Sequence, residues 1–365
     1  MRYRAPFRAL AAAAVLFVSA AVAPAAPGQA VIRVNESVSF RFGFALQVWA
    51  DWTQDPATRG YTQNFFIRRA RLYYAGQVAP NVTFFVVAVS SNIGKAPKDT
   101  GPTLFLEDAY GEWALFSDSV ILDAGLLLIP LCRNCLTQSV RLLTLDFGSF
   151  SFLYIPSTQS VSGRDTGFQA KGYLFHDRLE YRLGAFQGRR DTGSRNAFRT
   201  AGRLQYNFFD TEKGQFYPGT YLGTKKVLAI GASFDSQMSY RAYDADLFLG
   251  LPMPGKSGLT AQVDFIHYDG AATFPAFLSQ NDLLAEAGYY VGGLKLLPFV
   301  RYEQQSFANW PDTRLNRRNY QFGLTWYPYG QTLNIRAAWT ILQRPNDPTI
   351  ASTNQFSIQF QFFTF

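Results

Sequence analysis

The sequence predicts an all-β fold, a transmembrane antiparallel β-barrel of about sixteen strands with its third loop folded inward. Three observations carry that expectation. Apolar and polar residues alternate with period two along most of the chain, as they must where successive strand side chains point to opposite faces. Beyond the N-terminus no run is long and apolar enough for a membrane helix, so any crossing of a membrane falls to strands. The 365 residues include 29 Gly, 20 Tyr and 34 Phe but only 2 Cys and 2 His, rich in turn formers and strand aromatics and poor in metal ligands.

Residues 1–30 read as a secretory signal, with Arg2, Arg4 and Arg8 before an apolar run from Ala9 to Ala23 and a small-residue cleavage site at Gly28-Gln29-Ala30. The rest, 31–365, reads as one barrel domain. Removing the leader takes away three arginines and no acid, so the formal net charge falls from +8 to +5. So mild and scattered a basic excess gives no footprint for nucleic acid.

The alternation is clearest in Arg164 to Gly188. Phe168, Ala170 and Leu174 share one face of its first arm, while Asp165, Gln169 and Lys171 share the other. After a turn at His176-Asp177-Arg178, Leu179, Tyr181, Leu183 and Ala185 alternate with Glu180, Arg182 and Gly184. This is a β-hairpin, and the chain repeats it. Ahead of it the pattern predicts strands over Val38 to Trp52, Phe65 to Gly76, Val82 to Ser90, Leu104 to Leu115 and Val120 to Ile129. Behind it come Phe198 to Phe209, Lys226 to Asp235, Tyr240 to Leu251, Leu259 to Tyr268, Leu283 to Val291, Lys295 to Gln305, Arg318 to Tyr327, Leu333 to Leu342 and Gln355 to Phe365. Between Pro130 and Gly163 the alternation weakens. A long irregular stretch in a compact protein tends to be functional, and 130–163 reads as a constriction loop.

Alternation alone does not say which face is inside, because a soluble sandwich shares the period. Size decides: a barrel of about sixteen strands is too wide for side chains to fill, so its polar face points into water. Phe40, Phe42, Phe44, Ile230, Trp339 and Phe362 then face lipid, and Trp49, Trp52, Tyr302, Trp326, Tyr327 and Tyr329 suit interfacial girdles. Arg41, Arg69, Arg71, Lys171, Arg182, Arg199, Arg203, Arg301 and Arg336 fall in the lumen, with Asp108, Glu180, Asp244, Asp246, Asp264, Glu286 and Glu303 among them. Unpaired backbone groups cost several kcal/mol in hydrocarbon, so the first and last strands must pair.

Several motifs in order resemble the phosphate-selective porin family, O/P type. They are Phe66-Ile67-Arg68-Arg69-Ala70-Arg71-Leu72, Leu106-Glu107-Asp108-Ala109-Tyr110, Gly125 with Pro130 before the long loop, Arg164-Asp165-Thr166-Gly167, and Pro298-Phe299-Val300-Arg301-Tyr302-Glu303. Phe363 and Phe365 resemble the aromatic C-terminal signal read by the barrel-assembly machinery. They depart from it in phase, since Phe356 to Phe362 alternate on the other face, which leaves room for a local bulge. The resemblance implies a passive, trimeric pore of a Gram-negative outer membrane, with loop three in the lumen and basic side chains guiding anions such as phosphate. Arg69, Arg71, Arg133, Arg141, Lys171, Arg203 and Arg301 are the expected anion path. Arg133 and Arg141 are the only basic residues between Pro130 and Gly163, so no lysine-rich site is visible there.

Other constellations point less far. Cys132-Arg133-Asn134-Cys135 lacks the βαβ context of a redox motif and the further ligands of a zinc site, and an oxidising envelope favours a local disulfide. Asp244 and Asp246, two apart, share a strand face, as a hydrolase or a cation site requires, and wall charge is the plainer reading. No cofactor and no metal are expected. Alternatives to the anion pore are a non-selective porin, a barrel enzyme or adhesin in the same membrane, and a secreted β-sandwich.

Overall fold

The computed structural model describes residues 30–97, 101–151, 163–190, 193–309 and 311–365. The expected leader, apart from Ala30, and part of the expected constriction loop, 152–162, lie outside the described residues.

The strands are β1 (Ala30–Arg33), β2 (Ser39–Gln54), β3 (Tyr61–Ala79), β4 (Val82–Ile93), β5 (Phe105–Ala114), β6 (Ile121–Leu128), β7 (Arg164–Leu174), β8 (Leu179–Phe186) and β9 (Arg199–Asn207). They continue with β10 (Val227–Gln237), β11 (Tyr240–Met253), β12 (Ser257–Asp269), β13 (Gln280–Tyr290), β14 (Leu296–Phe307), β15 (Arg317–Trp326), β16 (Leu333–Gln343) and β17 (Thr353–Thr364). From β2 to β17 each strand pairs antiparallel with the next, and β17 pairs with β2, closing a barrel of 16 strands. Closure leaves the wall no free edge, as spanning strands require. The short β1 lacks the alternation that marks the others and is not predicted. It pairs with Ser39–Phe42 of β2, on the edge left open where β17 ends opposite Phe44.

Three register shifts interrupt the ladders, and two re-aim charge. Gln47 pairs with Arg69 and Val48 with Ile67, so Arg68 is the extra residue of a β-bulge and stands beside Arg69 on the lumen side. Val87 pairs with Asp108 and Ala88 with Leu106, so Glu107 is likewise extra and buried inside with Asp108. A bulge bends the strand and sets two neighbours on one face where period two allows one. β17 itself runs against β2 in continuous register, so the bulge left open at its end is absent. Phe363 instead continues the inward face.

The faces follow the size argument. Phe42, Phe44, Phe168, Leu183, Ile230 and Phe362 are exposed on the outer face, and the expected lumen charges are buried within, apart from Arg41, which stays exposed. Trp49 and Tyr327 correct the expected girdle. Both point inward into a cluster with Leu143 and Leu145 of the long loop, and Trp49 Nε1 donates to Gln359 Oε1 at 2.7 Å.

One end of the barrel carries long connections and the other short ones, with one exception at each. The β10–β11 turn on the loop side is only 238–239, and the β9–β10 connection on the turn side runs through 208–226. That turn-side loop enters the lumen.

Candidate functional site

Two loops from opposite ends meet inside the barrel. The long loop leaves β6 at Ile129 and folds into a tight turn closed by the Cys132–Cys135 disulfide. Leu131 and both cysteines pack on Tyr240, Ala242, Ile266 and Tyr268 of β11 and β12. It then crosses toward β14 to β16, where Leu143 and Leu145 bury against Leu297, Phe299 and Ala338. The turn-side loop lies along it: Tyr217 N donates to Leu136 O, Gln138 N to Tyr217 O and Gly219 N to Arg141 O, each at 2.9 Å. A Cβ on Gly219 would stand 2.8 Å from Leu143 N and 2.9 Å from Arg141 O, so only glycine lets the two backbones approach this closely.

Wall side chains satisfy the backbone groups that these irregular segments bring into the lumen. Arg336 Nη1 donates to Thr144 O at 2.7 Å, Gln361 Nε2 to Val140 O at 2.9 Å and Gln47 Nε2 to Ser139 O at 3.1 Å. Arg301 donates to Asp146 O at 2.7 Å and Phe147 O at 3.0 Å while pairing with Glu286 at 2.7 Å. These residues hold the loop's course.

The turn-side loop and the first part of the long loop fill one arc of the lumen, from β7 to β13. There the covered basic residues each meet a carboxylate, while Asp282 of β13 is buried with no hydrogen-bond partner among the described residues. Arg133 lies between the Tyr217 and Phe248 rings and forks onto Glu212 with contacts of 2.7 and 2.8 Å. Burial raises the Glu212 carboxyl, but Arg133 outweighs it and holds the group below its usual range. Arg203 reaches Asp246 at 2.9 Å and Asp244 at 3.4 Å, Lys171 reaches Asp123 at 3.2 Å and Gln215 at 3.0 Å, and Arg182 binds Glu180. The Asp244, Asp246 and Asp264 carboxylates lie within 4.8 Å of one another with Arg203 seated on two of them.

The opposite arc, β14 to β17 and β2 to β5, keeps open space in three parts that share lining residues. On the loop side a vestibule of about 420 Å³ is lined by Arg317, Arg344, Asn319 and Gln343, with no carboxylate among its described residues. It shares Ser149 and Leu342 with a chamber of about 480 Å³ that holds Arg68, Arg69, Arg71 and Arg301 against Glu107, Asp146 and Glu303. That chamber shares Arg71, Glu107 and Phe147 with a turn-side chamber of about 290 Å³, which holds Arg41, Arg71, Arg164 and Lys213 against Glu107 and Asp108. Those three residues stand where the two chambers adjoin, the neck of any passage between them. Arg71 crosses it, bound to Glu107 at 2.7 Å and hydrogen-bonded to Ser139 of the long loop. Arg68 Nε meets Asp146 at 2.9 Å and Arg69 takes its other oxygen. Burial raises the Asp146 carboxyl, but the two arginines outweigh it and hold it well below the usual range.

Comparison with protein-family models and with curated proteins gives no match. Solved structures do match along nearly the whole chain. The anion-selective porin from Comamonas acidovorans aligns at TM-score 0.60 and 10% identity, over 90% of this chain and 99% of that one. The outer membrane channel DcaP of Acinetobacter baumannii aligns at 0.59 and 8%, over 91% and 99%. Salmonella typhi OmpF, solved with daunomycin, aligns at 0.58 and 10%, over 92% and 100%.

The chain has the porin fold. The narrower likeness to phosphate-selective porins rests on the sequence motifs.

Within this porin fold the expected anion path divides. Arg69, Arg71 and Arg301 line the open spaces. Arg133, Lys171 and Arg203 are buried in ion pairs of the filled arc. Arg141 stands beside Tyr221, lines none of the three spaces and has no carboxylate partner among the described residues, so burial pulls its guanidinium pKa down. Sequence reasoning missed Asp146, Arg317, Arg344 and the whole turn-side loop, and it named Arg68 and Glu107 in their motifs without setting either on the anion path. One signal was available for the loop: Val227, Ala229 and Phe248 occupy inward positions of β10 and β11, where a wet lumen calls for polar residues, and Tyr221 of the loop packs on them.

Proposed function

We propose that this protein is an outer-membrane pore through which small hydrophilic anions, phosphate among them, diffuse down their gradients. One observation carries the reading: among the lining residues basic side chains outnumber carboxylates in each of the three spaces, from two against none in the vestibule to four against two at the turn side. Like charge along a narrow, low-dielectric passage concentrates the opposite ion. Arg317 and Arg344 collect anions, Arg68, Arg69 and Arg301 pass them to the neck, and Arg71 receives them there.

In this reading residues 1–30 are the export leader, the barrel-assembly machinery inserts the chain, and lipid surrounds the exposed aromatic and aliphatic band. Three copies form the unit, as the resemblance implies. The passage needs no covalent chemistry and no cofactor, which sets a pore above an enzyme or an adhesin. Arg133, Lys171 and Arg203 serve the filled arc.

The test is the reversal potential of detergent-refolded protein in a planar bilayer under a potassium chloride gradient. Anion preference is expected, with a shift toward cations in the Arg317→Gln, Arg344→Gln pair and a larger one once Arg68→Gln is added. A reversal potential that these changes leave alone overturns the assignment. Phosphate is expected to reduce the chloride current; with no reduction the pore is a general one.

A further inference from the structure

The turn-side chamber carries more aromatic surface than passage of simple ions needs. Phe85 stands at its centre, with ring centroids 5.7 Å from Tyr110, 5.8 Å from Phe365, 6.0 Å from Phe216 and 6.3 Å from Tyr73. Tyr73 stacks on Phe365 at 5.1 Å. These rings come from β3, β4, β5, the turn-side loop and the final residue, and all line the same space of about 290 Å³. In the filled arc inward aromatic residues are covered, as Phe248 is by Arg133 and Tyr240 by the disulfide turn. Here the rings face the passage. Apolar surface left against water costs free energy in proportion to its area, so this lining is best matched by a solute that covers it in passing.

Charge stands among the rings. Arg41 lies over Phe365 with its guanidinium 5.4 Å from the centroid, and Arg164 lies over Phe216 at 5.8 Å. The two acids of the chamber are engaged, Glu107 by Arg71 at 2.7 Å and Asp108 by Arg164 at 3.1 Å. Lys213 is held by Asp118 and Asp177, each at 2.7 Å. Among the described residues Arg41 is therefore the cation of this lining with no carboxylate partner, and it stands beside ring faces and edges in a space near the lower size limit of small-molecule sites.

We propose that the solute matched to this chamber is a flat aromatic carboxylate. Its anionic group tracks Arg71, Arg164 and Arg41 while its ring lies on Phe85, Tyr73, Phe216 and Phe365. An aliphatic carboxylate meets only the cations, and a neutral arene only the rings. The proposal rests on the anion-pore reading and adds the class of anion.

The experiment compares benzoate with acetate on the refolded full-length protein in planar bilayers. Two quantities are read: the concentration of each acid that halves the chloride current, and the permeability of each relative to chloride. Benzoate is expected to act at a concentration roughly threefold to tenfold below that of acetate, the range that one or two aromatic contacts supply, and to permeate. Phe216→Leu and Phe85→Leu keep apolar bulk and remove a ring, and each is expected to bring benzoate to within about twofold of acetate. Equal action of the two acids on an anion-preferring wild type overturns this proposal and leaves the anion pore standing. A wild type without anion preference overturns both. If Phe85→Leu does not refold, Phe216→Leu decides, because its side chain sits on a loop and not in the wall; benzoate preference unchanged there also overturns the proposal.

Discussion

The two arcs of the lumen hold the same residue types in different states. From Lys171 of β7 to β13 the inward basic residues meet carboxylates at close range and are shut off by two loops, as Arg133 is by Glu212, Tyr217 and Phe248. From β14 around to β5 most of the inward arginines border open space while still paired, as Arg68 and Arg69 share Asp146 and Arg71 holds Glu107, whereas Arg336 is shut away under the long loop. A count of lumen charge therefore says little about permeation. What matters is whether a paired charge still borders open space, as Arg71 does, or is covered on all sides, as Arg133 is.

Removing one member of a buried pair should break the filled arc most severely. Glu212→Ala leaves the fully buried Arg133 without its partner and is expected to cost about 3–5 kcal/mol in urea unfolding of the refolded barrel, because an uncompensated buried charge remains. Its conductance should rise as the turn-side loop lets go. An unfolding midpoint equal to that of wild type would mean the pair does not hold the arc. Replacing Cys132 and Cys135 by serine removes a short covalent loop and is expected to cost about 2 kcal/mol on the chain-entropy account, measured the same way. Conductance should change little, since Leu131 still packs on β11 and β12.

Gly219→Ala tests the approach of the two loops. A methyl group there meets Leu143 N and Arg141 O, and an overpacking cost of about 1–3 kcal/mol is expected with both loops displaced. An unchanged midpoint and unchanged conductance would show that the loops separate without penalty. Acid should sharpen the contrast on the open side by having little effect. The Asp146 carboxyl is depressed in the folded state, so its clamp on Arg68 and Arg69 is fully present above the ordinary carboxylate pKa and is lost only as pH falls through the lower folded value. Conductance is therefore expected to hold from pH 7 down to about pH 4, near the pKa of an unperturbed aspartate. A transition above that range in wild type, absent in Asp146→Asn, would contradict the clamp.

Much of this molecule was legible in the order of its residues. Strand period is a local property, fixed by neighbours two apart, so the sixteen wall strands, their outward phenylalanines and their inward charges could be read directly. The weak alternation after Pro130 marked the long loop, and Cys132-Arg133-Asn134-Cys135 marked its disulfide turn. Tertiary structure alone decided which charges pair and which stay open. Arg133 meets Glu212, and Arg336 meets Thr144 O, across 79 and 192 residues. The two bulges follow the same logic: whether Arg68 or Glu107 faces lipid or lumen depends on a slip against the neighbouring strand, which no residue signals by itself. Local alternation built the wall, and contacts between residues far apart in the chain shaped the passage through it.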